Sequence, residues 1–405
     1  MRTGVVDFQS DRLRQLRIAQ GLTQAVLAEK LSCSAGNISK WENGFSYPEI
    51  ASFKRICDYF KVPEDWLLEP PIKDQGHTPS FFRSQVSTPK VAWDIAEARL
   101  EWLEELSFKL QESLDFPELR IPCYSGDEVG LIDDADIEFL AEQCRQEWGI
   151  GTGPVANVIQ TMESFGVVAA RTELGYVKMD GVSRWSMLDD RPYVLLAADK
   201  ASPIRNRFDA AHELGHLVLH RKISKEQYQQ HYNLIENQAH RFASAFLMPA
   251  ESFSFEVKWP TLDGLLSLKP RWKVSVAAMI KRCQDLELID SDATARLWKG
   301  RSARGWVKKE PLDNSFEFEQ PKLLQRSVMM LIENKILTKA ALRKHLGMPE
   351  PLLEELVNLP TGYFSDEQRN TVIDIRLKPR PSKARPADLY GTGSVVSFHQ
   401  KHMSE

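Results

Sequence analysis

Two histidines four residues apart flank a glutamate in the segment HELGH, and this pattern is the strongest constraint on the fold. On an α-helix, residues i and i+4 lie on the same face one turn apart, so His212 and His216 can direct their imidazoles at one ion. Glu213 lies about 100° around the helix, which places its carboxylate near a water bound to that ion. The pattern therefore predicts a helix that carries two metal ligands, with Glu213 as the general base.

A catalytic metal also needs a third protein ligand and an open fourth position. The downstream segment IENQAHRFASAFLMP carries Glu236 and His240, again four residues apart, and the spacing leaves open which of them completes the site. Zinc is the expected ion, although two imidazoles and a carboxylate also suit manganese, iron or cobalt. The competing interpretation is a polar stripe on a partly buried helix, which would bury charges without partners. His220, one turn beyond His216, is interpreted as a helix-end histidine near the C-terminal dipole.

Together these segments resemble ImmA/IrrE-type metallopeptidases, in which a HExGH helix is followed by E-x-x-A-x-x-F-A and then by L-M-P. The second part of that pattern is present here as Glu236, Ala239, Phe242, Ala243 and the LMP segment at 247–249. The resemblance covers about 133–300 and implies a zincin-like domain. It also implies Glu236 as the third ligand and Glu213 as the base, while His240 departs from the family, which usually has Asn or another polar residue there.

The N-terminal segment LTQAVLAEKLSCSAGNISKWENG has the form of two short helices, with Thr23 and Ser34 as their N-caps. In a DNA-binding helix-turn-helix, the second helix presents its N-terminal residues to the major groove. The side chains expected to face the DNA are Gln24, Ser34, Ala35, Asn37, Ser39 and Lys40. Residues 7–69 resemble the XRE (Cro/repressor-like) family, which implies a five-helix, lambda-repressor-like domain that binds double-stranded DNA.

Net charge does not favour DNA binding by the molecule as a whole, because the formal charge is -4. Residues 1–69 hold nine basic and nine acidic residues. Attraction to phosphates must then come from a local patch, for which the candidates are Arg12, Arg14, Arg17, Lys40 and Arg55. The alternative is a helix-turn-helix that serves dimerisation or protein docking.

The chain of 405 residues is too long for one core, and its patterns predict a mainly α fold with a small β-sheet (α+β). We expect an XRE-type domain at 1–69 and a linker at 70–90 that Phe81 and Phe82 could dock. A helical connector at 91–132 and the peptidase domain at 133–300 follow. The expected C-terminal parts are a helical region at 301–375 and a disordered tail at 376–405.

One internal repeat is visible, because residues 337–356 align without gaps to residues 22–41. The repeat is a candidate for a second helix-turn-helix-like unit. Its second helix would carry Glu350, Glu354 and Glu355, whose carboxylates would repel phosphates. We therefore predict that this unit contacts protein and not DNA.

Two accounts of function follow from these patterns. In the first, a DNA-binding regulator carries a zinc-dependent endopeptidase that cleaves or inactivates a repressor-type protein, and the strand YVLLAAD holds the substrate backbone as an added strand. In the second, a repressor or antitoxin uses the zincin domain as a scaffold for a partner such as a toxin. A third alternative is cleavage of a neighbouring copy of the chain at 70–90.

The sequence also carries expectations about assembly and location. We expect a homodimer. The lack of an apolar leader or an 18-residue apolar run predicts a cytoplasmic protein without membrane contact.

Overall fold

Helices make up most of the fold, and one small sheet accompanies them, as the sequence predicts. The computed structural model describes residues 4–72, 79–84, 89–176, 179–199 and 202–365. Its helices are α1 (Ser10–Ala19), α2 (Gln24–Lys30), α3 (Ala35–Glu42), α4 (Ile50–Phe60), α5 (Lys90–Gln111), α6 (Asp134–Glu147), α7 (Val158–Ser164), α8 (Pro203–Leu219), α9 (Lys225–Gln230), α10 (Tyr232–Leu247), α11 (Ala250–Glu256), α12 (Leu262–Trp272), α13 (Val276–Asp285), α14 (Ser291–Ala303), α15 (Leu323–Glu333), α16 (Lys339–Leu346) and α17 (Glu350–Leu356). Its strands are β1 (Phe81–Ser84), β2 (Val168–Thr172), β3 (Met179–Trp185) and β4 (Pro192–Ala197). The tail expected at 376–405 lies outside the described residues.

Helices α1–α4 and a 3₁₀ turn at Asp65–Leu67 build the N-terminal domain. The hydroxyl of Thr23 accepts a hydrogen bond from the backbone of Val26, and Ser34 caps α3 in the same way. Both caps satisfy backbone N–H groups that a helix start leaves without a partner. The fifth helical element of the domain is this 3₁₀ turn and not an α-helix. The chain then meets prolines at 70 and 71, which lack the N–H that a longer helix requires.

Helix α5 packs on one side against the N-terminal domain and on the other against the sheet. Its neighbouring carboxylates make two buried ion pairs. Arg12 of α1 donates to Glu105 through both terminal nitrogens, at 2.6 and 2.8 Å. Arg184 of β3 donates to Glu104 at 2.9 and 2.7 Å. The expectation that Arg12 contacts phosphate is wrong, because its guanidinium is buried under α5.

The four strands form one sheet in the order β1-β3-β4-β2. Strand β3 runs antiparallel to both of its neighbours, and β2 pairs with β4 in parallel. Strand β4 contains most of the YVLLAAD segment and has a partner on each side, so the expectation that it accepts a substrate strand is wrong. Strand β1 lies within the segment expected to be a linker, and both of its phenylalanines are buried.

Helices α8 and α10 cross closely, and Gly215 is the reason that they can. A Cβ atom at this position would lie 3.0 Å from the carbonyl oxygen of Ala239, 3.1 Å from its Cα and 3.2 Å from Cβ of Phe242. Any side chain at position 215 would push the helices apart. Gly215 of the HELGH segment and the small residue Ala239 of α10 thus allow the two helix backbones to approach each other. This contact fixes the distance between the two ligand-bearing helices.

The C-terminal region packs back onto both domains. Glu310 accepts hydrogen bonds from the first backbone N–H groups of α13, and Glu319 does the same for α7. Helices α16 and α17 form the two arms predicted for the repeat at 337–356. The carboxylate of Glu354 is buried and accepts from the backbones of Gly362 and Phe364, at 2.7 and 2.9 Å. That this repeat contacts protein and not DNA stays a prediction.

Candidate metal centre

Three side chains from α8 and α10 converge on one point. The Nε2 atoms of His212 and His216 are 3.0 Å apart. The two carboxylate oxygens of Glu236 lie 3.2 Å from Nε2 of His212 and 3.3 Å from Nε2 of His216. Ligands of a tetrahedral zinc ion, each at about 2.0–2.1 Å, stand about 3.3 Å from one another. The spacing of these donor atoms therefore fits a small divalent ion.

Between the two candidates for the third ligand, the geometry favours Glu236. Among the described residues, the group whose ligand atoms all lie within 4.8 Å of one another is His212, His216 and Glu236. The side chain of His240 is exposed, and its ring packs against that of His212 with centroids 4.5 Å apart. His240 thus borders the cluster without belonging to it.

A chain of hydrogen bonds behind His216 orients this ligand. Nδ1 of His216 lies 3.1 Å from Nδ1 of His220, and Nε2 of His220 lies 3.0 Å from Oε1 of Gln238. The amide nitrogen of Gln238 donates to the carbonyls of Val129 and Ile132, at 3.0 Å each, which fixes which end of the amide is the acceptor. His220 must then carry its proton on Nε2, and His216 must donate from Nδ1. Nε2 of His216 is left with a lone pair for a metal.

The role of His220 is one that sequence analysis missed. It does stand at the end of α8, as expected, but it is fully buried and contacts a metal-ligand candidate. Burial lowers the pKa of His220 well below its usual value, and the neighbouring His216 lowers it further. A neutral imidazole is the form that the hydrogen-bond chain requires. The available signal was its i+4 spacing from His216, which extends the histidine face by one more turn.

Glu213 is held by strand β3. The hydroxyl of Ser183 donates to Oε2 of Glu213 at 2.6 Å. A Cβ atom at Gly181 would lie 3.1 Å from Oε1, so a glycine at that position leaves room for the carboxylate. Sequence analysis did not identify either β3 residue. Their positions match the alternation of a strand, in which residues two apart face the same side.

Five of the six predicted DNA-facing residues lie on α3 or at its N-cap, and Gln24 begins α2, but the exposure of their side chains differs. Ser34, Ala35, Asn37 and Lys40 are exposed. Two residues are more restricted: Gln24 donates to Glu42 at 2.8 Å, and Ser39 is half-buried.

The expected phosphate patch is also smaller than the sequence predicts. Arg17 donates to both carboxylate oxygens of Glu42, at 2.5 and 3.0 Å. Its positive charge is therefore paired with a carboxylate of the same domain rather than presented to DNA. Together with the burial of Arg12, this ion pair leaves Arg14, Lys40 and Arg55 as candidates for phosphate contacts.

Two segments of the chain match known protein families. Residues 162–284 match the family model of the IrrE N-terminal-like domain, and residues 13–67 match the helix-turn-helix model. The chain joins an IrrE-like peptidase domain to a helix-turn-helix domain. This result confirms the fusion predicted from the sequence. All the metal-ligand candidates lie within the matched range of the IrrE-like domain.

A curated relative matches the helix-turn-helix domain. The chain is 48% identical over 59 residues to the HTH-type transcriptional activator BcrR of Enterococcus faecalis. The match covers 15% of this chain and 29% of that protein, so it concerns the N-terminal domain and not the IrrE-like domain.

Within the described residues, no helix combines the length and apolar character that crossing a bilayer requires.

A pocket of about 730 Å³ lies beside the metal cluster in the IrrE-like domain. Its walls come from α8, α10, α13 and α14 and from the segment after α14, and His240 borders both pocket and cluster. Three of its charged residues are tied to one another: Arg241 and Lys281 both contact Asp285, at 4.0 and 2.8 Å. Aromatic walls are provided by Phe208, Trp298 and Trp306. The volume of this pocket lies within the range of small-molecule binding sites.

Proposed function

We propose that the chain is a DNA-binding transcription regulator whose IrrE-like domain is a metal-dependent endopeptidase that cleaves or inactivates a repressor-type protein. The observation that carries this proposal is the convergence of His212, His216 and Glu236, with Glu213 fixed beside them by Ser183. A site that only stabilised the fold would gain nothing from a buried carboxylate held in this position.

A divalent ion at this cluster would polarise a peptide carbonyl and lower the pKa of a water molecule. Zinc is the expected ion, and manganese is the alternative. Glu213 takes the proton of the attacking water and later delivers it to the leaving amine. Ser183 holds the carboxylate in place for both steps, since its hydroxyl donates to Oε2. His220 and Gln238 keep the ring of His216 in the orientation that ligation needs.

The helix-turn-helix domain would direct the molecule to a double-stranded DNA operator. The exposed start of α3 and the similarity to a transcriptional activator support this role. Asn37 and Lys40 are exposed, and we expect Asn37 to read a base edge and Lys40 to contact a phosphate. A homodimer would present two such helices to a two-fold operator.

A second candidate function is a repressor or antitoxin in which the IrrE-like domain only binds a partner, for instance a toxin. One observation favours it: the side chains of His212, Glu213 and His216 are fully buried, and strand β1 lies across the sheet edge beside them. A closed site of this kind suits a scaffold as well as a regulated enzyme.

The experiment that separates these functions follows new protein ends. Zinc-loaded full-length protein is added to a lysate of its native cells, and newly formed N-termini are labelled and identified. We expect cleavage by the wild type and by Glu251→Gln, an exposed glutamate on α11 that serves as the matched control. The Glu213→Gln variant should retain metal and lose cleavage. If no new N-termini appear with the wild type, or if the same ones appear with Glu213→Gln, the peptidase proposal fails and the scaffold function replaces it.

A further inference from the structure

Strand β1 occupies the edge of the sheet nearest the metal cluster. We propose that the outer edge of β3 is a binding site for an extended peptide with a large apolar side chain, and that residues 81–84 of the same chain fill it. This inference deepens the proposed function and rests on it. The external ligand is a peptide of similar chemistry that displaces β1 from the edge.

The strand register places β1 alongside the residues that hold the catalytic base. Phe81 pairs with Ser183, and the backbone of Arg83 pairs with Gly181. Ser183 donates to the carboxylate of Glu213, and Gly181 leaves the space that this carboxylate occupies. A peptide that added to β3 in the same register would therefore bring its backbone next to the base. Since β4 takes the other edge of β3, such a peptide can pair only where β1 now lies.

The side chain of Phe81 fills a small pocket behind a metal-ligand candidate. Its ring stacks on that of His216, with centroids 4.9 Å apart and an angle of 8° between the planes. The ring of His220 also lies beside it, with centroids 5.9 Å apart, and Val129, Ile223, Tyr228 and Ile235 are the buried apolar or aromatic neighbours. The hydroxyl of Tyr228 accepts a hydrogen bond from the backbone of Phe82 at 3.1 Å, so the pocket also grips the strand beside the ring. A pocket of this shape selects a phenylalanine or a similarly large apolar residue.

Strand β1 is short, but its two phenylalanines are held differently. The strand has four residues, and its register shifts between Arg83 and Ser84. Phe81 belongs to a separate cluster of five buried residues, whereas Phe82 belongs to the first large core and stacks on Trp93 with centroids 5.2 Å apart. Exchange of the strand must therefore also release the ring of Phe82. In addition, the tethered strand competes at an effective concentration of about millimolar, because it belongs to the same chain. Free peptide must therefore reach that range, or the strand must be weakened, before exchange is seen.

The first test measures hydrogen exchange on the unmodified full chain. The probe is the synthetic peptide Pro-Ser-Phe-Phe-Arg-Ser, which copies residues 79–84, at concentrations up to several millimolar. We expect deuterium uptake to rise in residues 79–84 while β3 stays protected, since one strand replaces another on the same edge. Protection of residues 79–84 that does not change at any peptide concentration would overturn the proposal.

The second test weakens the tethered strand. A fluorescein-labelled copy of the peptide is titrated onto wild type, Phe81→Ala and Phe116→Ala, the last of which removes a buried ring from the first large core and not from the cluster around Phe81. We expect Phe81→Ala to bind the peptide at least tenfold more tightly than the other two proteins. A control peptide with Ala at the position of Phe81 should gain little. Equal affinities for all three folded proteins would count against the proposal, and the exchange test stands if Phe81→Ala does not fold.

Cleavage assays keep this inference apart from the proposed function. Peptide exchange without cleavage by any variant supports the binding site and removes the peptidase. Cleavage at the same rate by wild type and Phe81→Ala retains the peptidase and removes the role of β1. Faster cleavage by Phe81→Ala than by wild type and Phe116→Ala supports both.

Discussion

Replacing His220 by phenylalanine tests whether the hydrogen-bond chain behind His216 sets metal affinity. The change keeps a planar ring in the buried space beside Phe81 but removes both ring nitrogens. Nδ1 of His216 then loses its partner at 3.1 Å, and Oε1 of Gln238 loses its partner at 3.0 Å. The imidazole of His216 is free to turn or to change tautomer, and its Nε2 no longer holds a lone pair on the metal side in every molecule.

The expected effect is a dissociation constant for zinc that is about 10–100-fold higher, as is usual when a partner of a ligating histidine is lost. That ratio corresponds to about 1.4–2.7 kcal/mol. It agrees with the penalty of about 1–3 kcal/mol for leaving one buried N–H without an acceptor. His220→Asn should lose less, because its side-chain oxygen can accept from Nδ1 of His216.

Competition with a chromophoric zinc chelator measures these affinities on the full chain. His231→Phe is the matched control, since this histidine is exposed and close in sequence, and we expect it to bind zinc as the wild type does. The reasoning is refuted if His220→Phe is folded and binds zinc within twofold of the wild type.

Three further changes test other parts of the structure. Gly215→Ala should lower the thermal midpoint and weaken zinc binding, because its Cβ would meet the backbone of α10 at 3.0 Å; calorimetry and chelator competition would measure both. Glu105→Gln breaks a buried ion pair and should cost about 3–5 kcal/mol of unfolding free energy in urea, whereas Glu118→Gln, in an exposed pair, should change it by less than about 1 kcal/mol. Lys40→Ala should weaken operator binding and reduce the slope of log affinity against log salt by about 1, and an unchanged slope in fluorescence anisotropy would remove Lys40 from the phosphate contacts.

Features that depend on neighbouring residues could be predicted from the sequence. The caps at Thr23 and Ser34, the two helices of the metal cluster and the i+4 spacing of His212 and His216 all follow from helix geometry. The convergence of Glu236 with them needed the resemblance to a family, because the spacing fitted His240 equally well. The structure separates the two by burial and distance.

Features that depend on distant contacts could not be predicted. Arg12 is as basic as its neighbours, and it is buried by contacts that are distant in sequence, with the ring of Trp66, the carbonyl of Pro70 and the carboxylate of Glu105. Phe81 lies in a segment rich in proline and polar residues, whose composition indicates a linker. Its pairing with β3 and the bond between Phe82 and Tyr228, 146 positions apart, have no local signal. His220 was misjudged for the same reason, since its partner Gln238 lies on another helix.

The adjacent carboxylates of α5 limit how this protein can be rebuilt. Glu105 forms an ion pair with Arg12 of the helix-turn-helix domain, and Glu104 forms one with Arg184 of the sheet. A foreign helix-turn-helix domain would remove Arg12 from Glu105 and leave Lys109, at 3.4 Å, as its ion-pair partner among the described residues, unless the new domain supplied an arginine at the same place on its first helix. The helix-turn-helix domain therefore cannot be exchanged independently of α5. We expect chimeras and natural recombinants to keep Arg12 and Glu105 together or to lose both.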